Sequence, residues 1–235
     1  MIMPRSPWDI TDDMFLSVDE SESLVAHVRN AEALVRGRDR LVASLDRLIV
    51  EVLLYSGLRN SEFCRLSLAD TMLGHRESSL IVRGPGRERR TVFVPGALSK
   101  LITTYARDTR PKFLPDRVAE DDLSRPLVLN EHRRPFERTG LYRRVVRILT
   151  QAGLADRASV QLLRHTYGYL AYLRTGGNLL FVQRQLGHAH PMITSIYAQF
   201  VPESYADMAD CIATRQARIS ERSGPSKLAQ SKGIH

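Results

Sequence analysis

Arginines placed at helix junctions are the residues in this chain best suited to chemistry. In Tyr55-Ser56-Gly57-Leu58-Arg59-Asn60-Ser61-Glu62, Gly57 breaks one helix and Asn60 or Ser61 starts the next, which leaves Arg59 at the joint. Glu62, three residues on, is spaced to hold that guanidinium from behind. Val160-Gln161-Leu162-Leu163-Arg164-His165-Thr166-Tyr167 opens a helix on which Gln161 and Arg164 share a face. Leu186-Gly187-His188 ends another helix, because Gly accepts φ > 0 at a C-terminus, and Pro191 suits the restart. His188 therefore sits on a helix-to-helix turn, with Tyr197 about two turns further on. A guanidinium stays charged and grips phosphate oxygens bidentately, so the chemistry these arginines suit is phosphate binding. Each segment alone also fits a purely structural role: a surface ion pair beside a helix break, or a capped helix end with a core Tyr.

The composition points the same way. The 235 residues include 34 Lys and Arg against 26 Asp and Glu, for a formal net charge of +8, and only Lys100, Lys112, Lys227 and Lys232 are lysines. An arginine-dominated basic chain suggests phosphate or nucleic-acid partners, although a GC-rich genome exchanges Lys for Arg without functional cause. Hydrophobic content of 43% with 26% charge suits a globular protein of one large domain or two small ones. Cys64 and Cys211 give no disulfide framework and no metal-ligand spacing; their apolar helical contexts suit buried free thiols. His188 and His190 form a His-x-His pair with no third ligand in sight, so no metal site is expected. No apolar run reaches the ~18 residues of a membrane span, and no signal-peptide pattern opens the chain. The expected location is a reducing cytoplasm, away from membranes.

These residues need helices and one hairpin to position them. Residues 1–15 show no period and read as an arm that Trp8 pins to the body. Ser17 or Asp19 caps a helix to about Arg36, closed by Gly37, with Leu24, Val28, Ala31 and Val35 on one face. Between Asp39 and Tyr55 the positions Leu41, Val42, Leu45, Leu48, Ile49, Val52 and Leu53 make a wide stripe, so this helix belongs to the core. Residues 79–83 and 90–95 are β-rich and flank Gly84-Pro85-Gly86-Arg87-Glu88-Arg89, a hairpin loaded with Arg83, Arg87, Arg89 and Arg90. A helix is predicted at 97–108, a surface connection from Arg110 to Arg125, and a short strand at Leu127-Val128-Leu129. In the helix at 137–152, Leu141, Val145, Ile148 and Leu149 face inward; Arg143, Arg144 and Arg147 face out as a basic ridge that adds to Arg133 and Arg134. Asn178 caps a helix over 179–186. A final helix at about 203–218 carries Tyr205, Met208, Cys211 and Ile212, and residues 219–235, Ser/Lys-rich and without period, are expected to be disordered.

Gly-Leu-Arg-x-x-Glu at 57–62, Leu-Arg-His-Thr at 163–166, and Leu-Gly-His at 186–188 with Tyr197 beyond resemble, in order and interval, the catalytic domain of the tyrosine recombinases, the phage-integrase family. The resemblance covers roughly residues 16–215. It implies a mainly α fold with a small antiparallel sheet (α+β), in one catalytic domain over 16–218. It also implies that Tyr197 attacks a phosphodiester of double-stranded DNA to give a 3′-phosphotyrosine and a free 5′-hydroxyl. Arg59 and Arg164 would clamp the non-bridging oxygens, His188 would hydrogen-bond the same phosphate, and Glu62 would orient Arg59. Fixed donors are what a phosphoryl transition state needs, each typically worth ~10²–10³ in rate. The phosphotyrosine conserves the bond energy, so no cofactor is expected. Arg83, Arg87, Arg89, Arg90, Arg143, Arg144 and Arg147 would hold DNA, on which the protein would act as a dimer or tetramer. The apolar stripe of the last helix would contact a neighbouring protomer.

The sequence departs from the family pattern at three points. Gln161 stands where a His is usual; an amide can donate to phosphate but cannot accept the tyrosine proton. Pro85 occupies the place of the hairpin-turn Lys that protonates the leaving oxygen, and Arg83 or Arg87 could replace its charge but poorly its proton. Fewer than about 20 residues precede the first helix, so a separate N-terminal DNA-clamping domain is not expected, as in compact members such as fimbrial inversion recombinases. The departures keep a second reading open, a DNA-binding accessory protein of the same fold with weakened chemistry. A type IB topoisomerase is a third, which the motif wording at 57–62 and 186–197 disfavours.

Overall fold

The first helix starts where the sequence supplies a reciprocal cap. In the computed structural model of the chain, which describes residues 10–74, 77–84, 88–114 and 123–201, the Glu20 N–H donates to the Ser17 hydroxyl and the Ser17 N–H donates to the Glu20 carboxylate. Two orphan donors are thereby satisfied at once. The elements in order are α1 (Val18–Leu34), α2 (Gly37–Ser56), α3 (Asn60–Arg65), β1 (Thr71–Met72), β2 (Ser79–Arg83), β3 (Arg89–Phe93), α4 (Gly96–Thr104), α5 (Arg138–Gln151), α6 (Val160–Arg174), α7 (Leu179–Leu186) and α8 (Met192–Ser195).

Helix α2 is the centre, with α1, α4, α5 and α6 packed on it. The apolar stripe predicted there becomes burial on every side over its second half: from Leu48 through Leu54 no residue is more than 2% exposed. Each such side chain contributes ~1.5–3 kcal/mol by leaving water. Glu51 lies inside this run, and it is tolerated because Arg29 and Arg47 reach its carboxylate at 2.8 and 2.9 Å. Burial alone would raise its pKa, yet the hydrogen bonds from both guanidiniums hold it below the usual carboxylate range.

The mainly α fold with a small antiparallel sheet is as expected, with one strand more. β1 pairs antiparallel with β2, and β2 with β3 in the register Leu80↔Val92 and Val82↔Arg90. Leu80, Val82 and Val92 are buried, so this face of the sheet is the inner one. Helix α7 packs against β3, which brings the hairpin beside the turn that carries His188.

Several boundaries differ from the sequence reading. Gly37 does not end α1; with φ +59° it begins α2, while Val35 ends α1 in extended conformation. The packed body reaches back to Ile10, and Phe15 and Leu16 are buried, with the Leu16 N–H donating to the Thr166 hydroxyl at 2.9 Å. The helix predicted at 97–108 is α4 followed by a π-turn over Tyr105–Thr109 and a 3₁₀ turn over Arg110–Phe113. Arg110, expected on a surface connection, is 2% exposed. Around Leu127–Leu129 there are only isolated bridges, Ser67↔Pro126 and Leu129↔Pro135. Cys64 is half-buried with a free thiol, and burial pushes its pKa up to about 11. Trp8, Arg87, Cys211, the helix predicted over 203–218 and the tail over 219–235 lie outside the described residues. Among the described residues no helix is long and apolar enough to cross a membrane, and no cluster of His, Cys, Asp and Glu could hold a metal ion.

Candidate active site

Two glycine-ended helices build the site. Helix α2 stops at Gly57 (φ +62°) and α7 at Gly187 (φ +64°), both left-handed. Space makes the same demand at the first: a Cβ on Gly57 would stand 2.5 Å from the Tyr167 ring and 2.8 Å from Leu186. Arg164, 4% exposed on α6, lies between these two ends. It donates from Nη1 to the Gly57 carbonyl and from Nη2 to the Leu186 carbonyl at 2.7 Å. The last carbonyls of a helix have no intrahelical partner and carry partial negative charge, so a buried cation is the natural stitch for two C-termini.

Arg59 caps α3 two residues after Gly57. Its backbone N–H donates to Glu62 Oε2 at 2.7 Å, its Nη1 to Glu62 Oε1 at 2.9 Å, and its Nη2 to the Gly187 carbonyl at 3.3 Å. Glu62 thus holds Arg59 through both its backbone and its guanidinium, and Arg59 is only one of its partners. Arg90 donates to both Glu62 oxygens, at 2.6 and 2.9 Å, and to the Gln185 carbonyl at 3.1 Å. Burial would raise the Glu62 pKa; hydrogen bonds from Arg90 and the Arg59 backbone, with the charge of both guanidiniums, overcome that and hold it down to about 2.

His188 follows Gly187, and its N–H donates to the Gln183 carbonyl at 3.1 Å. Its Nδ1 is 2.9 Å from the hydroxyl of Thr194, which is fully buried on α8. That bond fixes the ring and leaves Nε2 for a ligand. Burial, with Arg164 and Arg59 nearby, lowers its pKa to about 3, so the imidazole is neutral. Burial and the charge of Arg59 also lower Arg164, to about 10, which leaves it a cation at neutral pH.

Just past α8 lies Tyr197, 1% exposed, with its hydroxyl 3.1 Å from Nδ1 of His165. Burial raises its pKa to about 12 against the opposing charge of Arg164. The ring rests on Gly168 of α6, where a Cβ would come within 2.2 Å of Cζ. Gln161 is exposed one turn before His165, its amide 3.0 Å from His165 Nε2, with no hydrogen bond to the arginine cluster. His165, Gly168 and Thr194 escaped the sequence reading. His165 was within reach of it, lying in the Leu-Arg-His-Thr segment four residues after Gln161.

The arginines assigned to DNA separate into groups. Arg59, Glu62, Arg65, Arg83, Arg89, Arg90 and Gly187 line a cavity of ≈ 340 Å³. Arg89 is exposed there, while Arg83 donates twice to Asp70 Oδ1, at 3.1 and 2.8 Å. Arg90, expected to hold DNA with the rest of the hairpin, instead turns inward to Glu62, because its register opposite Val82 puts it on the inner face of the sheet. Arg144 also corrects the expectation that it faces out. It is 8% exposed and paired at 2.6 Å with both Asp46 and Glu131, since three residues after Leu141 and four before Ile148 it falls on the buried stripe of α5. Arg147 is half-exposed but bound to both Asp46 oxygens, and Arg143 is exposed.

The arrangement brings charged donors from α3 and α6 and a neutral imidazole from the turn after α7 together at the ends of α2 and α7, with the phenol of Tyr197 on the adjoining segment. Such a set can stabilise the oxygens of a phosphoryl group as charge builds on them.

Comparison with known proteins gives the following. Residues 15–203 match the phage integrase family. Tyrosine recombinase XerC of Halalkalibacterium halodurans is 31% identical over 163 residues, which cover 69% of this chain and 52% of that protein. Tyrosine recombinase XerD of Staphylococcus aureus is 30% identical over 152 residues, 65% of this chain and 49% of that one. The chain spans about half the length of these curated relatives. Among solved structures, XerA recombinase aligns with a TM-score of 0.62 at 26% identity, over 91% of this chain and 68% of its own. XerH site-specific recombinase bound to palindromic difH substrate aligns with a TM-score of 0.66 at 23% identity, over 85% and 53%, a likeness of fold.

Proposed function

This chain belongs to the phage integrase family, and from that premise we propose that it is a site-specific recombinase that cuts and rejoins double-stranded DNA through a 3′-phosphotyrosyl intermediate on Tyr197. One observation carries the reading: Arg59, Arg164 and His188, far apart in sequence, meet around the ends of α2 and α7, with Tyr197 on the adjoining segment. Arg59 and Arg164 bind the non-bridging oxygens, His188 donates to the same phosphate, and Glu62 with Arg90 keeps Arg59 in place. Tyr197 is 1% exposed, so the site must open to admit the phosphate before the phenol can attack, and binding of DNA precedes cleavage. Energy is conserved in the phosphotyrosine, and rejoining needs neither nucleotide nor metal. Exchange between two duplexes cuts four strands, one tyrosine to a strand, so the acting form is a tetramer assembled on DNA. Arg89 and Arg143 supply phosphate contacts outside the site. The work is done in the cytoplasm.

The test begins with selection of bound sequences from a random duplex library, followed by incubation with a nicked suicide duplex of the selected sequence. A covalent protein–DNA adduct is expected. The accessory-protein reading, favoured by Gln161 and by the lack of Lys between Met1 and Ser99, requires specific binding without adduct. Relaxation of supercoiled DNA lacking the selected sequence would mark a topoisomerase.

A further inference from the structure

Tyr197 is held by α6 in a way its role as a nucleophile alone does not require. Gly168 stands in the middle of that helix, where glycine costs about 1 kcal/mol relative to Ala. It admits the phenol ring edge-on: a Cβ would lie 2.2 Å from Cζ and 2.5 Å from the hydroxyl. One turn back, His165 Nδ1 is 3.1 Å from that hydroxyl, and one turn further back Gln161 is 3.0 Å from His165 Nε2. Phenol, imidazole and amide form a single chain along α6, from the buried ring out to solvent.

Resting on the recombinase reading above, we infer that His165 receives the Tyr197 proton during cleavage, with Gln161 setting the imidazole for that transfer. The phenolic O–H bond breaks and its proton passes to Nδ1, while the oxygen forms a bond to phosphorus. The P–O5′ bond breaks, its electron pair leaves on the 5′-oxygen, and that oxygen takes a proton from water. The Gln161 amide nitrogen stands 3.0 Å from His165 Nε2; for Nδ1 to accept, the neutral ring carries its hydrogen on Nε2 and donates it to the amide oxygen, which a half-turn of the amide brings to the same place. On rejoining, the 5′-hydroxyl gives its proton to solvent as its oxygen bonds phosphorus, the P–O bond to Tyr197 breaks, and the imidazolium returns its proton to the departing phenolic oxygen.

The groups that face His165 fit this duty. They are Tyr197 from the segment after α8, Arg164 beside it, His188 across the site and Gln161 below. Burial, then Arg164, lowers the imidazole to about 4, so it is neutral and open to a proton at physiological pH. An arriving phosphate anion offsets Arg164 and favours the imidazolium at the moment it forms. A base held by a third group beside a nucleophilic hydroxyl is the general pattern for activating such a nucleophile. The imidazole that the family pattern puts at position 161 is thereby supplied from position 165, one turn along the same helix.

The experiment is single-turnover cleavage of the nicked suicide duplex at saturating protein, with wild type, Tyr197→Phe, His165→Asn and His165→Ala, from pH 6 to pH 9. Asn can keep a hydrogen bond to the phenol but cannot take its proton, so it separates transfer from positioning. Both His165 variants should bind DNA like wild type and cleave ~10²–10⁴-fold more slowly. Their rates should climb about tenfold per pH unit as solvent takes over the deprotonation. A sulfur in place of the 5′-bridging oxygen relieves a missing acid, not a missing base, and should leave the deficit in place. Wild-type speed in His165→Asn, or full rescue by the sulfur substrate, overturns this inference alone. Failure of the wild type to form adduct overturns the recombinase reading and this inference with it.

Discussion

The joint between α2, α3 and α7 and the outer face of α5 both concentrate arginine, and they use it in opposite ways. At the joint Arg59 and Arg90 share one carboxylate, Glu62, Arg164 is bound only to carbonyls, and the carbonyls that hold the three are those of Gly57, Gln185, Leu186 and Gly187. On α5, Arg144 and Arg147 are met by the carboxylates of Asp46 and Glu131. A carbonyl positions a guanidinium without cancelling its charge, whereas a carboxylate does both. The joint keeps a net positive field for an anion, and the α5 face is a clamp that fastens helices together. The number of arginines in a region is therefore a poor guide to where an anion binds; what holds them is a better one.

If that contrast is right, the largest effect should come from the stitch between helix ends. Arg164→Ala removes a fixed cation from the site and leaves two buried carbonyls unpaired, so adduct formation should fall by ~10²–10³ with a lowered melting temperature. Unchanged cleavage would place the phosphate elsewhere.

Glu62→Gln comes next, and pH reads it. The folded-state pKa of Glu62 lies near 2, below its usual value, so its contribution is present above the unfolded pKa and is lost as pH falls through about 2. The shift corresponds to about 3 kcal/mol. Urea melts should show wild-type stability falling between pH 5 and pH 2 and a flatter profile for Glu62→Gln; parallel profiles would mean that the carboxylate is not held as described.

Arg144→Ala should destabilise by about 2 kcal/mol, less than a fully broken buried pair because Asp46 keeps Arg147, and should leave the salt dependence of DNA binding alone. The smallest effect belongs to Arg143→Ala. Stability should stay within about 0.5 kcal/mol, while the log–log salt slope for DNA drops by about one unit. If Arg144→Ala flattens that slope instead, α5 is a DNA surface and the contrast fails.

Much of the skeleton was legible because helix ends announce themselves chemically. Gly57, Asn178 and Gly187 cap helices where their residue types place them, and the stripe of α2 foretold a core helix. Gly37 misled because a left-handed glycine marks a bend without telling which side of it the helix lies on. Charge suggests DNA contact for Arg90 and an outward face for Arg144, although their spacing from Val92 and from Leu141 puts both inward. Periodicity was the better witness in both cases, since a buried guanidinium is tolerable once carboxylates meet it. Those partners, Glu62 for Arg90 and Asp46 for Arg144, are 28 and 98 residues away in the chain, and no local pattern reveals them. β1, only Thr71–Met72, is too short to show alternation. The core of the site was legible as separated motifs; its assembly through backbone carbonyls, and the His165 contact to Tyr197, were not.

The central claim is that the field at the ends of α2 and α7 serves Tyr197. Peptide mapping of the adduct formed on the nicked suicide duplex, by mass spectrometry after nuclease and protease digestion, tests it most directly. The expected result is a phosphonucleotide on Tyr197 alone and no adduct from Tyr197→Phe, which still binds the same DNA. A phosphonucleotide on any other residue, or adduct formation by Tyr197→Phe at the wild-type rate, would contradict the account.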